Sequence, residues 1–349
     1  MTTTENLLER LSNCRVLVVG DLMLDEYRRG HVERISPEAP VPILSVVGRE
    51  ATLGGAGNVV ANLRSLGVRV TVAGVRGEDA TGERIVALLR RLGVDGESVI
   101  GDPERVSTRK IRFVSLEHGQ QVFRVDEESL HPIRGTVEKA IVDLVREGAS
   151  VSQVILCSDY LKGLLTTNVL RAAFVVGRER AIPVIVAPKG SNALIYKGAS
   201  VLMPNLKELS RLVEAPVDGD RWLTDSAQRL TAALGLDALL VTRGSDGMSL
   251  FEQTRSGLRR VDIPTMAQNV YDVTGAGDTA IAAFAASVAS GTSFETAAYL
   301  ANVAAGIVVG KHGTATAAIE EIRSHFTDQD RRSAERYGAA GALRTASAQ

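Results

Sequence analysis

The sequence predicts an α/β fold with a doubly wound, mostly parallel sheet flanked by helices. Two observations carry the prediction. Short runs of aliphatic and β-branched residues, such as 15–20 and 154–157, each end in a polar or glycine-containing segment, and helical patterns lie between them. Repeated units of this kind indicate parallel strands joined by helical crossovers. The chain is also large and apolar enough for one extensive core, with 349 residues of which 45% are hydrophobic.

The elements follow in order along the chain. Strands are expected at 15–20, 69–75, 154–157, 183–187, 201–203 and 239–241, and helices at 80–92, 170–177, 280–289, 295–309 and 319–325. Two stretches depart from this pattern. Residues 30–48 contain three prolines among alternating apolar residues, and residues 106–127 contain two extended segments around a glycine. We expect both to form a small β-sheet lid above the main sheet.

The sequence also indicates the domain organisation. We assign residues 1–327 to a single domain that includes the lid, because no linker or internal repeat divides it. Residues 328–349 are rich in Asp, Arg, Ala and Ser and are expected to be a flexible C-terminal tail.

Composition excludes several classes of function. The formal net charge is −1 with both signs interspersed, which argues against a nucleic-acid partner. No apolar run reaches the roughly 20 residues of a membrane span, and the N-terminus lacks the basic and apolar regions of a signal peptide. The two cysteines and five histidines show no metal-binding spacing. We therefore expect a cytoplasmic protein without a membrane partner or a zinc site.

The segment 272–279 has the pattern of an anion-binding turn. Gly275 and Gly277 allow the backbone to approach a ligand closely, and the helix that follows directs unpaired N–H groups towards the turn. Asp278 is unexpected there, because a carboxylate repels an anion. A base that accepts a hydroxyl proton as the oxygen attacks phosphorus would account for it.

A dinucleotide-binding turn is the alternative for this segment, since Gly275, Gly277 and Ala280 fit G-x-G-x-x-[GA] and Glu295 lies about 20 residues on. The preceding residues 269–274 do not resemble a buried strand, however, and Glu295 lies where a helix is expected to begin. The phosphate interpretation is therefore favoured.

Polar residues follow several of the predicted strands. Asp21 and Asp25 come after the first strand, Asp159 after the strand at 154–157, and Lys189 after the strand at 183–187. Carboxyl ends of parallel strands meet at one edge of a sheet, where open α/β folds bind ligands. The two aspartates suit several sugar hydroxyls, although solvated loop positions would be the commoner role for each alone.

The segment Asp272-x-Thr274-Gly275-Ala276-Gly277-Asp278-Thr279 resembles the C-terminal signature of the ribokinase-like, or PfkB-type, carbohydrate kinases. The resemblance implies a ribokinase-like fold and an ATP-dependent sugar kinase. It also implies that the backbone of Gly275, Ala276 and Gly277 holds the transferring phosphate and that Asp278 is the general base. Gly54, Gly55 and Asn58 resemble the N-terminal signature of the family and are expected to contact the sugar.

Other segments resemble the nucleotide-binding parts of the family. Residues 205–208 fit its N-x-x-E motif, in which Glu208 is expected to act on Mg²⁺ through water. Residues 242–244 fit its T-x-G motif for ATP phosphates. The residues expected near the nucleotide are Asn205, Leu206, Lys207, Glu208, Thr242, Arg243, Gly244, Gly247, Thr274, Asn302, Lys311 and Gly313. For Glu208 alone, a first-turn glutamate that supports the helix dipole is the simpler interpretation.

Residues 20–27, 33–42 and 54–62 further resemble the family members that phosphorylate O1 of D-glycero-β-D-manno-heptose 7-phosphate, which implies the 1,7-bisphosphate as product and a role in ADP-heptose and lipopolysaccharide core synthesis. A distal phosphate requires cations, and the lid offers Lys110, Arg112 and Arg124. Lys110 and Arg112 share a strand face that Arg109 does not. Ala187 departs from this pattern, which has an acidic residue before Pro-Lys-Gly.

The resemblance and the exposed lid edges together lead us to expect a homodimer formed through the lid. Two alternatives for function remain open. One is a related kinase for fructose phosphates, ribose or a nucleoside, and the other is a sugar-phosphate-binding protein without catalytic activity.

Overall fold

A computed structural model describes residues 8–117, 119–267, 269–311 and 313–325. The nine-stranded main sheet has the order β13-β12-β11-β10-β9-β8-β1-β4-β5. Its strands are β1 (Arg15–Gly20), β4 (Arg69–Gly77), β5 (Val99–Asp102), β8 (Val154–Ser158), β9 (Val184–Ala187), β10 (Val201–Leu202), β11 (Ala238–Thr242), β12 (Met248–Thr254) and β13 (Gly257–Ile263). All pairings from β5 through β11 are parallel, and β12 and β13 add an antiparallel edge.

Helices cover both faces of this sheet. They are α1 (Ala56–Ser65), α2 (Ala80–Arg91), α3 (Gly135–Ala149), α4 (Thr167–Arg180), α5 (Leu206–Leu212), α6 (Gly219–Leu234), α7 (Ala276–Ala289) and α8 (Phe294–Val308), with further helical turns at 8–11 and 319–325. Strand β1 alternates between two cores: Val16 and Val18 pack with α1, α2, α7 and α8, whereas Leu17 and Val19 pack with α3 to α6. Because β1 is buried on both faces, it reads as a continuous apolar run.

The sheet reverses its winding direction at β1. The chain runs from β1 outward to β4 and β5, then returns to place β8 on the other side of β1. Asp21 and Asp159 directly follow these two neighbouring strands. Such a switch point at the carboxyl ends of parallel strands is where open α/β sheets form a ligand crevice.

The lid is a separate four-stranded sheet with the order β3-β2-β6-β7. Its strands are β2 (Leu22–Ile35), β3 (Pro42–Gly55), β6 (Arg109–Ser115) and β7 (Gln121–Glu127). The antiparallel pairs β2–β3 and β6–β7 are joined by parallel pairing of β2 with β6.

The lid is larger than predicted, because its first hairpin spans residues 22–55 and not 30–48. Asp25 lies within β2 and is not in a loop after β1, and Gly54 and Gly55 end β3. The base of β2 is buried on both faces, so its sequence lacks the alternation that indicates a strand. The expected tail at 328–349 lies outside the described residues.

The other predicted elements are present within a few residues of the expected bounds. The elements without a counterpart in the prediction include β5, α3, α6 and the antiparallel hairpin β12–β13. Among the described residues, no helix combines the length and apolar character that crossing a bilayer requires.

Candidate functional site

A pocket opens at the carboxyl edge of the sheet, between the segment that precedes α7 and the ends of β8 to β11. Eight of the residues selected from the sequence line it: Asp159, Lys189, Asn205, Glu208, Thr242, Gly275, Gly277 and Asp278. These residues are spread over 120 positions of sequence, and the parallel sheet brings them together.

The amino end of α7 forms one wall of the pocket. Ten residues of this helix, from Thr279 to Val288, are buried, so the helix is fixed in the core. Gly275 precedes it with a left-handed φ of 80°, and a Cβ there would lie 2.8 Å from Nδ2 of Asn58. A Cβ on Gly277 would meet nothing within 4 Å, so this glycine faces open space.

The N–H groups at this helix end differ in availability. That of Ala276 donates to the carbonyl oxygen of Val273 at 3.2 Å. Those of Gly277 and Asp278 have no hydrogen-bond acceptor among the described residues. The N–H groups of Gly277 and Asp278, with the positive end of the helix dipole behind them, are thus the ones available to an anion, and the anion cradle expected from Gly275, Ala276 and Gly277 remains a prediction.

The Asp278 carboxylate is held from two sides. Nδ2 of Asn58, on α1, donates to Oδ2 at 2.8 Å, and the Tyr160 hydroxyl donates to Oδ1. Burial raises the pKa of Asp278 to about 6, although the hydrogen bonds from Tyr160 and Asn58 oppose the increase. The group is therefore mostly ionised at neutral pH and remains a stronger base than an exposed aspartate.

A buried polar chain supports Asn58. Its amide oxygen accepts from Nδ2 of Asn62 at 3.3 Å, and Oδ1 of Asn62 accepts from the Thr279 hydroxyl at 2.9 Å. The Thr279 hydroxyl also lies 3.1 Å from the carbonyl oxygen of Gly275. This chain ties α1 to the first turn of α7 and so fixes the Asn58 amide against Asp278.

The carboxylate of Asp21 accepts hydrogen bonds from the backbone of the protein. Its oxygens accept from the backbone N–H groups of Tyr160, Lys162 and Leu164 at 2.9, 3.0 and 3.1 Å. Asp21 is buried and does not line the pocket. The geometry thus gives it the task of shaping the loop after β8, and we no longer assign it to sugar hydroxyls.

Asp25 is the aspartate that faces the lid cations. Its Oδ1 accepts from Nη1 of Arg112 at 2.7 Å. Pairing of β2 with β6 places Lys110 opposite Asp25, and pairing of β6 with β7 places Arg124 opposite Arg112. Lys110, Arg112 and Arg124 therefore share one face of the lid, as expected from strand alternation.

The lid cations differ in their partners. Arg124 pairs with Asp126 at 2.8 Å, whereas Lys110 has no ion-pair partner within 4 Å among the described residues. Burial lowers the pKa of Lys110. Arg109 points to the other face, where it binds Glu26 at 3.1 Å. Lys110 is thus the lid cation with most capacity for an anionic ligand.

Lys189 and Glu208 form an ion pair across the pocket. Nζ of Lys189 lies 2.7 Å from Oε1 of Glu208. The other carboxylate oxygen of Glu208 accepts from the backbone N–H of Asn205, whose side chain accepts from the Glu208 N–H, both at 2.9 Å. Glu208 therefore closes a capping box on α5 while facing the pocket. Leu206 and Lys207 do not line the pocket.

Several residues assigned to the nucleotide are engaged by the protein. Arg243 donates to Ser249 at 2.9 Å, Asn302 donates to the carbonyl oxygen of Pro264 at 2.6 Å, and Nζ of Lys311 lies 2.7 Å from Glu321. These contacts tie the side chains of Arg243, Asn302 and Lys311 to the framework, and their assignment to the nucleotide remains a prediction.

Two of the backbone segments expected near the nucleotide meet at Asp272. The N–H groups of Thr274 and Gly313 both donate to the Asp272 carboxylate, at 2.9 and 3.1 Å. Gly244 and Gly247 lie in the turn between β11 and β12. A second cavity beside this region is lined by Met266, Asn269, Tyr271, Val303, Gly306, Ile307, Gly310 and His325.

The sequence did not indicate the role of Tyr160. It lies in the polar segment after β8, but only the fold brings its hydroxyl to a residue 118 positions away. A second tyrosine, Tyr196, donates to Oδ2 of Asp159 at 2.7 Å and fixes the carboxylate of that residue. The sequence showed that a polar segment follows a buried strand, but it did not show which residue of that segment contacts the site.

A model of the pfkB family carbohydrate kinases matches residues 14–322. The chain belongs to the pfkB family. Relatives include two proteins called "Bifunctional protein HldE", from Geobacter metallireducens and Geotalea uraniireducens, which are 48% and 47% identical over 318 residues. The match covers 91% of this chain and 64% of either relative, so the chain spans less than two thirds of their length.

Solved structures of other proteins share the pfkB-family fold. A phosphofructokinase-2 from Escherichia coli in complex with potassium is 20% identical, with a TM-score of 0.74 over 89% of this chain and 97% of that one. A ribokinase from Arabidopsis thaliana complexed with ribose and ATP is 23% identical, with a TM-score of 0.70 over 89% and 98%. The ribokinase-like fold expected from the sequence is thereby confirmed.

Replacing Gly277 should separate stability from ligand binding. In Gly277→Ala the new methyl group enters open space within a helix, so urea denaturation should show stability unchanged or raised by up to about 1 kcal/mol. Calorimetry should show weaker binding of the nucleotide, because the methyl group occupies the cradle.

Gly275→Ala is the matched control. Its methyl group would meet Asn58 in a left-handed backbone conformation, so stability should fall by about 1–3 kcal/mol. Equal losses of stability in the two variants would contradict the described arrangement.

Proposed function

We propose that the protein is an ATP-dependent kinase that transfers the γ-phosphate to O1 of D-glycero-β-D-manno-heptose 7-phosphate and forms the 1,7-bisphosphate. The observation that carries the proposal is a carboxylate, Asp278, held at the amino end of α7 beside N–H groups that have no acceptor among the described residues. Membership in the pfkB family supports sugar phosphorylation. The sequence segments that resemble heptose 7-phosphate kinases support the substrate. With ATP as donor, we place the reaction in the cytoplasm.

Asp278 has the properties that a general base needs. Its pKa of about 6 leaves it ionised at neutral pH, while it still accepts a proton more readily than an ordinary aspartate. In the proposed reaction, the proton of the sugar hydroxyl moves to the Asp278 carboxylate as the oxygen attacks the γ-phosphorus. The bond from that phosphorus to the ADP oxygen breaks, and ADP leaves.

The same helix end supplies charge stabilisation. The N–H groups of Gly277 and Asp278 face the place where the transferring phosphoryl group would lie, and the dipole of α7 adds to their effect. The second cavity, which is lined in part by Met266 and Gly306, is the space we assign to the nucleotide base. We assign the ATP phosphates to the region of Thr242, Gly244 and Gly247.

The residues present fit a hydrated magnesium ion. Among the described residues, no group of three or more Asp, Glu, His or Cys side chains is arranged to hold a metal. Mg²⁺ often keeps several waters and uses one carboxylate together with substrate phosphates, and Glu208 offers such a carboxylate at the pocket wall. When bound, the ion would neutralise charge on the ATP phosphates. Lys189 contributes further positive charge beside Glu208.

The lid supports a phosphorylated sugar. Asp25 suits the sugar hydroxyls, while Lys110 and Arg112 on the same face suit the distal phosphate. Lid contacts would also exclude water, which is a competing acceptor.

The direct test measures ADP release with ATP and a panel of heptose, hexose and pentose phosphates, ribose and nucleosides. Preference for another sugar would support the related-kinase alternative, and binding without ADP release would support the non-catalytic one.

Replacing the base should remove turnover but not nucleotide binding. Asp278→Asn keeps the size and hydrogen-bonding capacity of the side chain, yet cannot accept the proton. We expect kcat to fall by about 10²–10⁴-fold in steady-state assays of ADP formation. Calorimetry should show ATP affinity within a few-fold of that of the unmodified protein. A near-normal kcat would exclude Asp278 as the base.

The two strand faces of β6 allow a matched test of phosphate binding. Lys110→Met should raise KM for the sugar phosphate by about 10-fold or more, because it removes a charged contact to the phosphate. Arg109→Met removes a neighbouring cation on the opposite face and should leave KM within about two-fold. Steady-state kinetics with varied sugar phosphate would check both. An equal rise of KM in both variants would argue against a phosphate site on the Lys110 face.

We also propose that the outer face of the lid joins two copies of the chain. Phe113 and Phe123 stack there at 4.2 Å between ring centroids, and Phe123 and Val125 are exposed on the edge strand β7. Ile35 and Val47 on the first hairpin are exposed as well. Apolar edge strands of this kind are commonly covered by a partner.

A charge placed on that face should dissociate the dimer. Phe123→Asp should shift the sedimentation coefficient from that of a dimer to that of a monomer in analytical ultracentrifugation, because the carboxylate would be buried in an apolar interface. Val151→Asp is the control, since Val151 is as exposed as Phe123, at 48%, but lies in the turn that follows α3 and not in the lid. A monomeric unmodified protein would refute this proposal.

A further inference from the structure

The loop after β8 carries a side chain that the mechanism above does not use. Tyr160 is partly buried and lines the pocket, and its hydroxyl donates to Oδ1 of Asp278. The second carboxylate oxygen is held by Asn58. No other side chain among the described residues donates a hydrogen bond to this carboxylate.

The position of Tyr160 is set by its own backbone. Asp21 accepts the N–H groups of residues 160, 162 and 164, and so fixes the loop directly at the point where Tyr160 leaves it. The ammonium group of Lys189 lies 5.9 Å from the centre of the Tyr160 ring, on the side of the ion pair with Glu208. The backbone of Tyr160 is therefore fixed by Asp21, and a cation lies beside the ring whose hydroxyl contacts Asp278.

We propose that Tyr160 is a positioning residue for the base: its hydroxyl holds the Asp278 carboxylate in its orientation and favours the charged form. The proposal rests on the proposed function for its catalytic meaning. A phenol in this place donates a hydrogen bond and cannot compete for the substrate proton, because burial and the nearby Asp278 charge raise its pKa well above the usual range. Tyr160 thus stays protonated while Asp278 changes its charge.

The direction of the effect follows from the groups that face Asp278. They are Tyr160 from the loop after β8, Asn58 from α1, Asp25 from β2 and Lys189 from the loop after β9. Burial and Asp25 raise the pKa of Asp278, whereas Tyr160, Asn58 and Lys189 lower it. Loss of the Tyr160 hydroxyl should therefore raise the pKa and make the base inactive over a wider acidic range.

The experiment compares the pH dependence of kcat/KM for the unmodified protein and Tyr160→Phe. The acidic limb of the unmodified protein should lie near pH 6, and in Tyr160→Phe it should move upward by about one pH unit. The rate loss should consequently be about 10-fold below pH 6 and should shrink at higher pH. Replacing Tyr160 by 3-fluorotyrosine, a stronger donor of the same shape, should move the limb downward.

Tyr196→Phe is the matched control. It also removes a buried tyrosine hydroxyl that donates to an aspartate, but that aspartate is Asp159. Whether or not Tyr196→Phe lowers the rate, the acidic limb of its kcat/KM profile should lie at the same pH as in the unmodified protein. Thermal unfolding of each variant would show that the fold is retained, and the fluorotyrosine variant keeps the hydroxyl if Tyr160→Phe does not fold.

A second measurement is independent of activity. In protein labelled with ¹³C at aspartate carboxyl groups, the NMR signal absent from Asp278→Asn should titrate near pH 6, and at higher pH in Tyr160→Phe. A titration that shifts in a protein inactive on every sugar phosphate would refute the proposed function and retain this role of Tyr160. If neither the acidic limb of kcat/KM nor the titration of Asp278 moved in the two Tyr160 variants, the positioning role of Tyr160 would be overturned.

Discussion

The site depends on one electrostatic conflict, which is that a carboxylate lies beside a helix end suited to anions. Asp278 and a transferring phosphoryl group would repel each other, so the carboxylate must be held at a fixed place and must not turn into the cradle. Asn58 and Tyr160 hold it from two sides, and the buried face of α7 fixes the cradle. The chemistry therefore rests on core packing as much as on the side chains that meet the ligand.

Much of the framework serves that arrangement indirectly. Asp21 orders the loop that presents Tyr160, and the chain of Asn62 and Thr279 orders Asn58. Buried polar groups of this kind are costly unless their hydrogen bonds are satisfied, and here the bonds connect elements that are far apart in sequence. Each such residue acts on the pocket through another residue, which explains why several polar positions near strand ends do not face the ligand.

The fold and the centre of the site could be predicted from sequence, because short apolar strands and the glycine turn before α7 are local signals. The glycine turn drew attention to Gly275 and Asp278, whereas Glu208 and Asn58 were selected through the resemblance to the pfkB-type kinases. Local signals do not say where a side chain points after the chain folds. Asp21 and Lys311 carry charges in suggestive segments, yet their contacts go to the loop after β8 and to Glu321. Tyr160 was missed because its partner is distant in sequence.

The first lid hairpin begins at Leu22, directly after Asp21, and ends at Gly55, directly before α1. Its base thus lies next to Asp21 and Asn58, which bind the loop after β8 and the Asp278 carboxylate, whereas its tip at 36–41 is mostly exposed. The two ends of this hairpin are consequently under different physical constraints. A change at the tip would meet mainly solvent, whereas a change at the base would reach Asp21 or Asn58 and, through them, the surroundings of Asp278, so contacts made by the tip can be altered independently of the pocket.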